Sequence, residues 1–129
     1  MARGVIGLSS LMLVGFGGAV GAMLRFGVGL LLPHGGWPLG TFLVNVAGGF
    51  AMGLLVAWLA GRGAAGEQLR LLLGIGVLGG FTTFSAFSLD LMIMLERGDI
   101  VLAVAYALTS VLLSLLALWA GLLLVRSFA

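Results

Sequence analysis

Apolar residues fill this chain in four long blocks, over about residues 5–32, 39–60, 69–95 and 100–125. Each block holds the roughly 20 apolar positions that a helix needs to cross a bilayer. The gaps between them are short, and Pro33-His34-Gly35-Gly36-Trp37-Pro38 reads as a turn between the first two blocks. The first block, with Arg3 ahead of it and Ala19-Val20-Gly21-Ala22 inside it, has some look of a secretory signal. It runs on past Arg25 to Leu32 and three more blocks follow, so it is read as a retained span. The pattern predicts an all-α integral membrane protein forming one four-span domain over residues 1–129.

The third block breaks its own pattern. At its middle stands Gly79-Gly80-Phe81-Thr82-Thr83-Phe84-Ser85-Ala86-Phe87-Ser88, with adjacent glycines, four hydroxyl residues and phenylalanines at every third position. A helix broken at that depth frees carbonyls and amides that lipid cannot satisfy, so the break must be buried in protein or line a cavity. Freed carbonyls can coordinate an ion, as in transporters with broken helices. Alternatively, Gly79 and Gly80 serve close helix packing while the hydroxyls bond carbonyls one turn earlier.

Composition narrows the class. The chain is 62% hydrophobic and 8% charged, with a mean hydropathy of +1.31. A water-facing surface needs far more charge than that. There is no cysteine, and His34 is the single histidine, so neither a disulfide nor a zinc cluster is expected. Six basic residues face four acidic ones, and the arginines are scattered, so nucleic acid is not an expected partner. With four spans, both termini share one side. Arg3, Arg62, Arg70 and Arg126 fall there, against Arg25 and Arg97 opposite. So thin a bias permits insertion in both orientations. Trp37, Trp58 and Trp119 fall near span ends, where interfaces favour indole. Gly49-xxx-Gly53, and Gly17, Gly18, Gly21 and Ala22, form small-residue faces suited to contact between helices and between subunits.

Polar groups inside the spans are costly and each needs an account. Asn45 shares a stripe with Thr41, Gly48 and Gly49. It either bonds a neighbouring helix or donates amide N–H to an anion. Tyr106, Ser110 and Ser114 recur at i, i+4 and i+8 and so share one helix face, with Thr109 beside them. Arg25 either snorkels to the interface or faces an aqueous vestibule that concentrates anions. Asp90 sits near the end of the third span, where pairing with an arginine or facing water is expected. The available groups are hydrogen-bond donors and the positive edges of aromatic rings, which suit an anion. Moving a carboxylate-sized ion into a low-dielectric medium costs on the order of 20 kcal/mol. A hydrogen bond to a charged group returns only about 1.5–3 kcal/mol, so one asparagine makes no pathway. A file of donors is required.

Three segments carry a family resemblance: residues 17–26, Gly-Gly-Ala-Val-Gly-Ala-Met-Leu-Arg-Phe; residues 40–50, Gly-Thr-Phe-Leu-Val-Asn-Val-Ala-Gly-Gly-Phe; and residues 79–88. In that order they resemble the first-, second- and third-span motifs of the Fluc (CrcB) fluoride channels. The resemblance implies an antiparallel, dual-topology homodimer with two fluoride pathways along the subunit interface. Phe84 and Phe87 match the family's phenylalanine box, and Asn45 its pore asparagine. Ser110 and Ser114 match its fourth-span polar track, with Tyr106 as the associated tyrosine. Thr41 and Ser85 are placed on the same pathway, and Arg25 matches the vestibule arginine. A structural sodium at the dimer centre is implied, held by the backbone carbonyls of Gly79 and Thr82. Ala86 departs from the threonine common in the family, which removes a hydroxyl near the box.

The expected function is passive, fluoride-selective export through the plasma or inner membrane, giving fluoride resistance without enzyme chemistry. Hydrogen fluoride enters neutrally and is trapped as the anion. At about 2.3 kcal/mol per charge per 100 mV, the inside-negative potential supports roughly a 50-fold outward gradient. Two rivals make other demands. A four-span proton-coupled multidrug exporter needs a carboxylate deep in a span. A non-transporting assembly subunit would leave the Asn45, Phe84, Phe87 and Ser110 constellation without a use. Replacing Phe84 or Asn45 is expected to abolish flux in a channel and assembly in a packing subunit.

Overall fold

The computed structural model describes residues 7–129; Arg3, and the expected start of the first span near Val5, lie outside them. Helix α1 spans Leu8–Leu31 and α2 spans Leu39–Leu59. The third span, Gly63–Glu96, is composite. It begins as α3 (Gly63–Leu69), continues as a π-helical segment (Arg70–Leu78) and closes its first half with the turn α4 (Gly79–Phe81). After the break comes α5 (Phe84–Glu96), and α6 (Ile100–Ser127) ends the chain. All four spans are long and apolar enough to cross a membrane. The third starts six residues earlier than its apolar block, and Glu67 and Arg70 pair at 2.8 Å one turn apart on that exposed end of the helix. Such an i,i+3 pair adds about 0.2–0.5 kcal/mol to the helix there.

The break falls at Thr82 and Thr83, both extended, with ψ of 155° and 120°. Two β-branched residues after two glycines favour that conformation over continued helix. Each threonine then closes one half. Thr82 donates from its amide and from Oγ1 to Leu78 O, at 3.0 and 2.9 Å. Thr83 Oγ1 accepts from the Ala86 amide at 3.1 Å, capping α5 in the way short hydroxyl side chains commonly start helices. Gly48 makes room for the kink: a Cβ there would overlap the Thr82 methyl.

Two seams of small residues hold the bundle. In one, α1 runs parallel to the first half of the third span, with Gly17 against Gly76 and Leu72 O, and Gly21 against Val77 O. In the other, α2 runs parallel to α6, with Gly49 on Ser114 O, Gly53 on Leu118 O and Gly121 on Phe50 O. The expectation that these glycine faces also serve contact between subunits is corrected here. They are covered within the chain, since backbone lies where a side chain would begin.

Gly53→Ala is expected to lower stability by about 1–3 kcal/mol through overpacking against Leu118. Gly15→Ala, with nothing within 4 Å of the added carbon, should leave it unchanged or slightly raised. Thermal unfolding followed by circular dichroism distinguishes them, and equal melting temperatures would refute the seam.

Candidate functional site

Asn45 closes the break from α2. Its Nδ2 donates to Thr83 O at 3.0 Å, and the Thr83 amide donates to its Oδ1 at 2.8 Å. The donor and acceptor of one backbone residue are thus satisfied by one side chain, and the same pairing fixes which way the amide points. A second Nδ2 proton remains free for another acceptor. From α1, Arg25 Nε donates to Gly80 O at 3.0 Å. The carbonyls of Gly79 and Thr82 take no hydrogen bond from any described residue.

Two cavities flank this clamp. A vestibule of about 380 Å³ opens at the end of the bundle formed by the α1–α2 turn. Its polar lining is Arg25, His34, Thr41, Thr83, Asp90 and Arg97. Deeper in the bundle, a groove of about 420 Å³ is lined by Asn45, Phe84, Phe87, Ser110 and Ser114, with Gly48 and Gly49 at its base. Thr83 is the one residue common to both linings. Ser110 and Ser114 lie 10 and 14 residues into α6, hence about 15 and 21 Å from its start at 1.5 Å per residue. The groove therefore sits at mid-membrane depth.

Five of the expected pathway residues meet in the groove. Phe84 and Phe87 stand with ring centroids 5.7 Å apart, Phe87 buried and Phe84 78% exposed at the open side. Ser110 is 4% exposed, and its hydroxyl is buried with no partner among the described residues. Most buried polar groups are bonded, so this one is an unused donor facing the groove. Thr109, by contrast, turns its hydroxyl back to Ala105 O and adds nothing to the track.

The remaining expected residues lie elsewhere. Thr41 and Arg25 belong to the vestibule. Ser85 is exposed on the open face, its hydroxyl 3.3 Å from Thr83 Oγ1. Tyr106 lines neither cavity; it is fully buried and donates to Asp90 Oδ2 at 3.0 Å. Asp90 does face the vestibule, but its partner is this hydroxyl; the arginine expected there makes no ion pair with it. The contact forms because Asp90 and Tyr106 share the α5–α6 interface, whereas Arg25 is committed to Gly80. Ala86 lines the vestibule.

Two features escaped sequence reasoning. One is the two-point clamp between Asn45 and Thr83. Its only signal was a side chain with both a donor and an acceptor, on the span that faces the break. The other is Trp37, expected at the interface. Its ring packs edge-on against Tyr106 at 5.4 Å and Phe42 at 5.6 Å, while Tyr106 in turn lies 5.2 Å from Phe87. A continuous aromatic stack thus connects the turn to the groove.

Residues 12–122 match the family described as CrcB-like protein, Camphor Resistance (CrcB). The chain belongs to the CrcB family. Relatives within it are similar along nearly their whole length. A protein of Phenylobacterium zucineum named fluoride-specific ion channel FluC is 56% identical over 123 residues, covering 92% of this chain and 97% of that protein. Proteins of the same name from Rhizobium meliloti and Caulobacter vibrioides are 46% and 52% identical, with 93% and 92% of this chain covered and 98% and 97% of theirs. Together with membership of the CrcB family, the four apolar spans make this a multi-pass membrane protein.

Asn45→Leu keeps the branch at Cγ, with bulkier groups on it, and strands the Thr83 amide and carbonyl. At about 1–3 kcal/mol for each buried unsatisfied group, stability should fall by about 2–6 kcal/mol. Thermal unfolding of the purified protein tests this, and a variant as stable as the parent would show that the clamp is not needed.

Proposed function

We propose that this protein is a passive, fluoride-selective channel that works as an antiparallel pair of copies in the cell membrane. The observation that carries the reading is the groove. One unpartnered serine hydroxyl, one free asparagine N–H and two phenyl rings converge there at mid-membrane depth, on a face open at Phe84. All are donors or positive ring edges, and no acid lines the groove. The names borne by the CrcB relatives point to the same ion.

The energetics favour fluoride over larger halides only if many weak donors act together. Desolvation of a small anion costs 20 kcal/mol or more in a dry medium, against about 1.5–3 kcal/mol per hydrogen bond to charge. A second copy closing the open face supplies the missing wall. Arg25 and Arg97 raise the local anion concentration in the vestibule, from which the ion passes Thr83 and Asn45 into the groove. Phe87 and Phe84 then offer ring edges, and Ser110 and Ser114 continue the path along α6.

The carbonyls of Gly79 and Thr82 fit a structural sodium ion. They are freed by the break, take no hydrogen bond from a described residue, and Gly79 is exposed. Neutral oxygens of this kind suit a hard monovalent cation. A two-fold axis through the break of two antiparallel copies would bring four such oxygens to one ion, whose contribution is to tie the subunits together.

Purified protein in liposomes should release fluoride rapidly, read by a fluoride electrode, and release negligible chloride. Phe84→Ile should cut fluoride release about tenfold or more, equivalent to about 1.4 kcal/mol on the barrier, without altering the elution of the folded assembly. Phe84 is the cleaner probe because it is exposed, whereas Asn45 also carries the fold. Failure of the parent protein to release fluoride would overturn the channel reading.

A further inference from the structure

An acid in the mouth of an anion pathway is an unexpected group. The charged and titratable side chains lining the vestibule are Arg25, His34, Asp90 and Arg97, and only Asp90 carries negative charge. It forms no ion pair with a described residue. Its partner is the Tyr106 hydroxyl at 3.0 Å. A phenol has a single proton, so while Asp90 accepts it, Tyr106 has nothing to donate to a passing ion.

The two partners differ in freedom. Tyr106 is fully buried, and its ring is wedged between Phe87 at 5.2 Å and Trp37 at 5.4 Å. Asp90 is partly exposed at the vestibule wall, so the carboxylate is the member able to move aside. One turn beyond Tyr106 on α6 lies Ser110, whose buried hydroxyl has no partner. A donor freed at Tyr106 would therefore stand on the vestibule side of Phe87, with the next unused donor on its groove side.

We propose that Asp90 is a specificity-determining residue: its carboxylate holds the Tyr106 proton as a tethered anion, and only an acceptor as strong as fluoride displaces it. This rests on the channel reading. Fluoride, the smallest halide, concentrates its charge and accepts hydrogen bonds more strongly than a carboxylate oxygen; chloride accepts more weakly. The exchange is acceptor for acceptor, so the carboxylate sets a threshold below which an anion gains no donor at Tyr106. Selectivity then arises from competition as well as from pore size, by raising the cost of the wrong partner. The displaced carboxylate turns into the vestibule, which holds the Arg25 and Arg97 side chains.

The test compares the reconstituted parent protein with Asp90→Asn, Tyr106→Phe and the double variant, with fluoride and chloride release measured on the same vesicle preparations. Asparagine is close in size and still offers Oδ1 to the hydroxyl, so the α5–α6 contact is kept; Asp90→Ser, which withdraws the acceptor, carries the same expectation should Asp90→Asn not fold. In Asp90→Asn, chloride release should rise and the fluoride-to-chloride ratio fall by about tenfold or more. In the Tyr106→Phe background, adding Asp90→Asn should leave the ratio unchanged. Equal factors for both anions would show that Asp90 acts only through its field, and would overturn the proposal. So would an unaltered ratio, or a fall that persists without the tyrosine hydroxyl. A parent protein that releases no fluoride would instead sink the channel reading itself, so the two failures are distinguishable.

Discussion

A helix that stops halfway through a bilayer leaves polar backbone where no water can reach it, and the whole molecule answers that constraint. Asn45 meets it most directly, by pairing with both the amide and the carbonyl of Thr83. An isolated backbone group left unsatisfied at this depth costs several kcal/mol. The clamp fixes α2 against the third span, and the capping hydroxyl of Thr83 starts α5 in the direction that this requires. Arg25 performs the corresponding task for Gly80 from α1. Side chains of two other spans thus stabilise a break that its own span cannot.

Function follows from what the clamp leaves over. After Asn45, Arg25 and the two threonines have taken their partners, one Asn45 proton remains, and the carbonyls of Gly79, Phe81 and Thr82 take no hydrogen bond from a described residue. In the proposed channel the remaining proton serves the anion path, and the Gly79 and Thr82 oxygens would suit a cation at a different place. Separation of the two is possible because Thr82 and Thr83 are extended, which turns successive carbonyls to different sides. The break therefore divides its polar groups between two roles with opposite charge preference.

The rest of the bundle is arranged to keep one face open. Both glycine seams bring backbone against backbone in parallel pairs, α1 with the third span and α2 with α6. With those contacts satisfied inside the chain, Phe84 stays exposed at the groove. The stack from Trp37 through Tyr106 to Phe87 fills the space between vestibule and groove with rigid rings.

Span number, all-helical character and the interruption of the third span were legible in the sequence. They depend on local properties: apolar run length set by bilayer thickness, and glycine and β-branched residues at one point. Likewise, the residues of the groove could be named, since helical periodicity places Ser110 and Ser114 on one face and the motifs carry Asn45, Phe84 and Phe87. Tertiary structure alone decided who meets whom. Periodicity gives the face of a helix but not the neighbour it faces, so the glycine faces, the partner of Asp90 and the place of Tyr106 and Trp37 were open until the spans were packed. The same holds for Asn45: a side chain with one acceptor and two protons serves backbone or anion equally well, and the position of Thr83 determined that it first serves the fold.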